Sequence, residues 1–343
     1  MSSILKPYLE RLLDHQALSE ADAEFVLGEL TEPTLAPAMA GALLAALRAK
    51  GVTADELRGF ARGMRRLARR PELPDVGPTV DVVGTGGDAS HSYNLSTGAA
   101  PLAVAAGARI AKHGNRSVSS RSGSADLLEA LGLPLPLDEA AAGRCLDATG
   151  FTFLYAPHYH PAMRSIAPVR AALGVRTVFN LLGPLTNPAE PPYQLIGAYS
   201  LAAARLLAEA IAGLPATRSF VVHGDPGWDE PTPAGPFTLF TVEHGQVRES
   251  RRSAADYELP ACTPESLRGG DAAHNAAALR AVLEGVDRGP HRDALLMGAG
   301  LVMEVLGRVQ GAAASARLVA AAIDDGRAGE LLAKLAAFGR TVR

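Results

Sequence analysis

The sequence predicts an α/β protein in two parts. A small all-helical N-terminal domain precedes a larger α/β domain with a mostly parallel central sheet flanked by helices. Three observations lead there. Residues 1 to about 70 carry apolar side chains at helical spacing and no strand-like run. After the proline-rich stretch 71–78, short β-branched runs alternate with Ala-rich segments, the pattern of parallel strands joined by helices. Hydrophobic residues make up 48% of the chain but aromatics only 5%, and such small side chains suit helices packed closely on a parallel sheet.

Each element has a local cause. Ile4, Leu5, Tyr8, Leu9, Leu12 and Leu13 form the stripe of a first helix. Ser19 caps a second, with Asp22 in the capping-box position. A third runs from Pro37 to Lys50 and stops at Gly51. Thr53 caps a fourth that reaches about Arg70. Helices this rich in Ala and Leu need partners on several sides, which is either a dimer face or packing on the second domain. The division expected is residues 1–72 and 73–343, with helices from about 161–188 returning to the N-terminal bundle. Arg62, Arg65, Arg66, Arg69 and Arg70 read as a solvated helix face whose cations suit the C-terminal dipole. A nucleic-acid patch would want interleaved aromatics, and the net charge of −3 offers no general field for one.

Strands are expected at 79–83, 108–111, 151–155, 193–198, 220–222 and 237–242. Asp271 caps a helix to Glu284, and further helices follow from about Pro290. Cys145 and Cys262 are the only cysteines, too few for a disulfide framework or an all-cysteine zinc site. With no apolar leader and no long uncharged span, a cytoplasmic protein without membrane contact is expected.

Chemistry concentrates in three places. The first strand runs into Gly84-Thr85-Gly86-Gly87-Asp88, and Asn94, Ser96 and Thr97 open the helix that follows. A glycine turn feeding a helix N-terminus presents N–H donors and a positive dipole end, the makings of a phosphate site. Just past the second strand, Lys112-His113-Gly114-Asn115-Arg116 leads to a serine-rich run in which Ser122 or Ser124 caps a helix. Such a dense donor cluster suits several phosphate oxygens. Asp229-Glu230 lies on the loop after a strand and suits a hard cation such as Mg²⁺, although paired solvated acids are common. His158 and His160 have no third metal ligand nearby and read as the lining of a pocket, and Arg170 matches the geometry of a substrate carboxylate.

Set in order, these motifs, with His160-Pro161-Ala162-Met163 and the stretch 176–187 (Arg-Thr-Val-Phe-Asn-Leu-Leu-Gly-Pro-Leu-Thr-Asn), resemble the anthranilate phosphoribosyltransferase family over nearly the whole chain. The resemblance implies a homodimer formed through the helical domain. It also implies transfer of the phosphoribosyl group of phosphoribosyl pyrophosphate (PRPP) to the amine of anthranilate, in tryptophan biosynthesis. Carried over, Gly84, Thr85, Gly87 and Asp88 would line the pyrophosphate site, with Asn94 and Thr97 on phosphate oxygens. Lys112, Asn115, Ser119, Ser120 and Ser124 would clasp the phosphoribosyl end. Ser96 would hold one Mg²⁺ and the pair Asp229 and Glu230 a second, two ions per subunit. Gly84, His113, Asn115 and Arg170 would meet the anthranilate. No dedicated nucleophile or base is implied, because the arylamine is itself the nucleophile. The chain departs from the family pattern at 89–93, at Trp228, at 231–234 and at Met297-Gly298. Two other readings share the fold. A pyrimidine-nucleoside phosphorylase would need neither the acid pair nor Arg170, and a non-catalytic nucleic-acid-binding paralogue predicts a basic surface and degraded pyrophosphate motifs.

Overall fold

The computed structural model describes residues 2–342 apart from 76, 89, 91, 117–120 and 226, with side chains from residue 4 onward. Ser119 and Ser120 therefore lie outside the described residues.

Four helices come first: α1 (Ser2–Leu13), α2 (Glu20–Leu30), α3 (Pro37–Lys50) and α4 (Ala54–Leu67). Both expected caps are present. Ser19 accepts from the Asp22 N–H and Thr53 from the Glu56 N–H. Glu56 is buried and also accepts from Lys50 Nζ and the Leu18 N–H, each at 2.9 Å, so one carboxylate ties three segments together. Helices α2 and α4 meet almost backbone to backbone: a Cβ on Gly59 would stand 2.2 Å from the Glu20 carbonyl oxygen. Helix α4 stops at Leu67, short of Arg70, because Ala68 turns extended and the Arg69 N–H bonds the Tyr159 carbonyl. The arginine run is an ion-pair seam. Arg62 meets Glu20, Arg66 meets Glu24, Arg69 meets Glu139, and Arg65 and Arg70 share Glu190.

The sheet has seven strands: β1 (Val80–Gly84), β2 (Ile110–Gly114), β3 (Phe151–Tyr155), β4 (Tyr193–Gly197), β5 (Arg218–Gly224), β6 (Phe237–Glu243) and β7 (Gln246–Arg252), in the order β3-β2-β1-β4-β5-β6-β7. The first five run parallel, and β6 and β7 are antiparallel additions at one edge. Strand β2 lies further along than expected. Its parallel ladder with β3 extends to Gly114 opposite Tyr155, so Lys112 and His113 sit within the strand and not after it. Strand β7 is an unexpected element. It is almost wholly exposed, so no apolar alternation marks it. Its signal is the two-residue turn His244-Gly245, both at positive φ, between paired strands.

Connecting helices are α5 (Leu95–Ala105), α6 (Ser124–Ala130), α7 (Glu139–Thr149), the short α8 (Ala156–Tyr159), α9 (Met163–Leu173), the short α10 (Phe179–Leu182) and α11 (Leu201–Ala212). The chain ends in α12 (Ala272–Leu283), α13 (Pro290–Val305), α14 (Ala312–Asp324) and α15 (Arg327–Thr341). Asp271 caps α12 through the His274 N–H, as expected. Neither Ser122 nor Ser124 caps α6. Gly123 holds that position, extended, with its N–H on Asp126.

Alternation along the strands sends side chains to two cores. Val82, Ile110, Phe153 and Val222 join α5–α7 and α12–α15 on one face. Val83, Ile196, Val221 and Phe240 join α11 on the other, and that cluster runs on through Ile166, Phe179 and Leu182 into the N-terminal helices. The helical bundle therefore shares one continuous core with a face of the sheet. No described helix is long and apolar enough to cross a membrane.

Candidate active site

The order of the strands locates the site. From β1 the sheet grows toward β2 and β3, and from β4 it grows the other way. The loops beyond β1 and β4 diverge, and the crevice between them is where open α/β sheets take ligands. Gly84-Asp88 leaves β1 at this point. Gly86 and Gly87 are both left-handed, at φ +66 and +73, which side chains would resist. The Thr85 N–H bonds the Gly197 carbonyl at 2.9 Å, and Thr85 Oγ1 accepts from the Tyr199 N–H at 3.0 Å.

Asp229 and Glu230 return from β5 across these strand ends, seated on three glycines. A Cβ at Gly84 would lie 2.5 Å from Asp229 Oδ2, one at Gly197 1.6 Å from the Asp229 carbonyl oxygen, and one at Gly224 2.4 Å from that of Glu230. The contacts are direct. The Gly86 N–H donates to Asp229 Oδ2 at 2.7 Å across 143 residues of sequence. Asp88 Oδ2 accepts from the Asp229 N–H at 3.3 Å. The Ser96 N–H, in the first turn of α5, donates to Glu230 Oε1 at 2.9 Å.

Three carboxylates thus crowd one half-buried place. Burial, then the charges of Asp88 and Glu230, push the Asp229 carboxyl well above its ordinary range. Burial pushes Glu230 up to about 7. Lys112 is the cation beneath, its pKa lowered by burial against the pull of Asp81, Glu230 and Asp229. Hard carboxylate oxygens of this kind fit Mg²⁺. Among the described residues no group of three or more His, Cys, Asp or Glu is placed to hold a metal ion, so an ion here would take one or two of these carboxylates and draw its remaining ligands from water and substrate phosphate.

The other expected residues divide. Asn94 is the residue before α5, and its Nδ2 donates to the Ser122 carbonyl at 2.9 Å. Thr97 is buried, with its hydroxyl on Ser124 Oγ at 2.9 Å, joining α5 to the start of α6. Lys112 is only 1% exposed, and its Nζ donates to the Val82 carbonyl inside the sheet. Its charge reaches the crevice from below. Arg116 turns to Asp126 and Glu129.

On the bundle side of the glycine loop a cavity of about 430 Å³ collects Gly84, His113, Asn115, His160 and Arg170. His113 Nδ1 lies 3.2 Å from the Gly183 carbonyl. The carbonyl can only accept, so Nδ1 carries the proton and Nε2 is left a buried acceptor without a partner among the described residues. Burial, with His160 beside it at 5.0 Å between ring centroids, lowers the His113 pKa to about 3. The ring is therefore neutral at physiological pH. Arg170 packs its guanidinium 5.1 Å over the Phe179 ring, and burial lowers its pKa. His158 turns away to Glu139 at 3.4 Å.

Two further residues emerge only in three dimensions. Arg176, after α9, donates to the Gly87 carbonyl and lies over the Tyr199 ring at 3.9 Å, while its own carbonyl accepts from Arg48 of α3. Asn275 of α12 is 3% exposed and donates to Asn94 Oδ1 at 3.0 Å. A buried amide on the apolar stripe with Ala276 and Leu279 was its one sequence signal.

Comparisons with known proteins agree with this arrangement. The Glycosyl transferase family a/b domain matches residues 76–329, and the helical bundle domain of the same family matches 6–68. The chain is 45% identical over 340 residues to the anthranilate phosphoribosyltransferase of Rubrobacter xylanophilus, covering 99% of this chain and 97% of that one. It is 44% identical over 324 residues to that of Chloroflexus aggregans, covering 94% and 95%. Among solved structures, the Thermus thermophilus enzyme superposes with a TM-score of 0.90 at 40% identity, over 97% of this chain and 99% of that one. The Saccharomyces cerevisiae enzyme in complex with PRPP and Mg superposes at 0.89 and 26% identity, over 99% and 98%. With both parts of the family matched and relatives this similar from end to end, the chain belongs to the anthranilate phosphoribosyltransferase family.

Proposed function

We propose that this chain transfers the phosphoribosyl group of PRPP to the amine of anthranilate, releasing pyrophosphate. The observation that carries this is the shared position of Gly84 and Thr85. They belong to the glycine loop facing the acid pair and also line the cavity holding His113 and Arg170. One loop therefore adjoins both an anion-and-cation crevice and an aromatic-sized pocket.

In the reaction the amine nitrogen bonds to the ribose carbon as the bond to pyrophosphate breaks, and the proton that the nitrogen loses passes to the departing pyrophosphate or to water. The N–H groups of Gly87 and Asp88, beyond those already bonded within the loop, with Lys112 beneath, would meet the charge developing on the leaving oxygens. Ser96, Asp229 and Glu230 would hold Mg²⁺, in our reading two ions per subunit, which would neutralise pyrophosphate as it departs. Arg170 would pair with the anthranilate carboxylate, and His113 Nε2 would accept from the amine. We further assign residues 1–72 with 161–188 to one helical unit that forms a homodimer, and place the protein in the cytoplasm.

The test is the loss of anthranilate fluorescence with purified protein. Loss that requires both PRPP and Mg²⁺ is expected. Well-folded protein that leaves the fluorescence unchanged would overturn the proposal.

A further inference from the structure

We propose that Asn275 is a positioning residue for PRPP. It sets the orientation of the Asn94 amide through a relay that ties α12 to the donor loops. The inference rests on the functional reading above, under which Asn94 meets phosphate oxygens of PRPP as the family resemblance implies.

The relay runs Gly270–Asn275–Asn94–Ser122. The Gly270 N–H donates to Asn275 Oδ1 at 2.7 Å. Asn275 Nδ2 donates to Asn94 Oδ1 at 3.0 Å, and Asn94 Nδ2 donates to the Ser122 carbonyl at 2.9 Å. Its direction is forced at both ends. A backbone N–H can only donate and a carbonyl can only accept. Reversing either amide would set donor against donor at one end or acceptor against acceptor at the other. The side-chain oxygen of Asn94 is thus engaged, and so is one of its two amide protons. Among the described residues the second proton has no acceptor, and we assign it to a ligand oxygen.

The position also needs such a device. A residue in the place of Asn94 usually turns its oxygen onto the first turn of its own helix. Here no such bond forms, and the Ser96 N–H goes to Glu230 instead. Without Asn275, Asn94 Oδ1 would be released to rotate toward the helix or toward an incoming phosphate, where it would repel. The neighbouring backbone is held from the same side. The Tyr93 N–H bonds the Leu267 carbonyl at 3.0 Å, and the Tyr93 ring stacks on His291 of α13 at 3.9 Å. The segment carrying Asn94 is therefore anchored, and Asn275 adds the orientation of its amide.

The experiment measures PRPP–Mg²⁺ binding by calorimetry and steady-state kinetics in each substrate for the full chain, Asn275→Asp, Asn275→Ala, Asn94→Ala and the Asn94→Ala/Asn275→Ala double variant. Asn275→Asp keeps the acceptor for Gly270 but puts a carboxylate against Asn94 Oδ1. Roughly ten- to hundredfold weaker PRPP binding is expected for it, from the loss of one oriented bond to a charged ligand. The KM for anthranilate should stay within about twofold. Asn275→Ala should add no further loss once Asn94 is alanine, a non-additivity that a purely structural role would not produce. Should the Asp variant fail to fold, Asn275→Ser carries the same expectation. PRPP affinity unchanged in the folded Asn275 variants, equal loss for both substrates, or losses that multiply in the double variant would each overturn the proposal. Turnover by the unmodified chain upholds the functional reading independently of these results.

Discussion

Single side chains at this site are defined by what surrounds them. Arg170 is an ordinary arginine in sequence, but the Phe179 face orients its guanidinium toward the cavity shared with His113. Arg170→Ala is expected to raise the KM for anthranilate roughly tenfold or more while changing that for PRPP far less. Equal effects in steady-state kinetics would remove Arg170 from the acceptor site. Glu230 and Asp229 carry a pH prediction. Their carboxyls are raised in the fold, so the folded chain holds those protons more tightly than the unfolded one. The associated stability is present below the ordinary carboxylate range and is lost as pH rises through about 7, the value for Glu230. His113, His160 and His291, lowered to about 3, about 4 and about 4, act oppositely, and their contribution keeps growing until the unfolded histidines are neutral, well above about 6.5. Replacing Glu230 isolates its share: metal-free Glu230→Gln should lose on the order of 1 kcal/mol less than the unmodified chain between about pH 6 and 8, and PRPP with Mg²⁺ should reverse the trend in the unmodified chain. Thermal melts at several pH values, in chelator and in Mg²⁺, read this directly. Equal pH slopes for the two chains in chelator would show that Glu230 is not raised.

At the scale of elements, the site depends on backbone closeness. The acid loop can lie on the ends of β1, β4 and β5 only because Gly84, Gly197 and Gly224 have no side chains. Gly197 is the sharpest case, and an added methyl there would overlap the Asp229 carbonyl. Gly197→Ala should therefore displace Asp229 and Glu230 together. Activity should fall at least about a hundredfold while far-UV circular dichroism is retained, because misplacement of groups near the chemistry is costly. Retained activity would mean that the loop can be reseated. The sequence showed the elements on either side of this contact, Gly84-Asp88 and Asp229-Glu230, but not the contact. Strand β7 and the true extent of β2 were hidden for a related reason: pairing with a neighbouring strand defined them, and periodicity did not.

For the whole molecule, the decisive feature is the second core, which runs from one sheet face through α9 and α10 into the N-terminal helices. It places Arg170 beside the glycine loop, and Arg48 and Arg176 carry a further connection from α3 to Gly87. The bundle thus helps to wall the cavity that we assign to the acceptor. Its outer side still shows apolar surface. Ile4 is 50% and Leu13 58% exposed, and a groove between α3 and α9 is lined by Leu35, Ile166, Val169 and Leu173. A homodimer through this side predicts twice the chain mass in light scattering, and Leu35→Glu should shift it toward monomer. A monomeric mass for the unmodified chain would reject that assembly.

Local chemistry made much of this protein legible from its sequence. Caps at Ser19, Thr53 and Asp271, the strand-glycine-helix turn at Gly84-Asp88 and the alternation of strands and helices are short-range consequences of backbone sterics and hydrogen bonding. Those features placed the fold class and the candidate motifs. Tertiary structure alone decided how they meet. It buried Lys112 under the crevice, paired the arginine run with acids from other segments, left His113 Nε2 a buried acceptor in the wall of a cavity and joined Asn275 to Asn94. Each of these depends on which distant residue occupies the adjoining space, and that is settled only when the parallel strands and the shared core have come together.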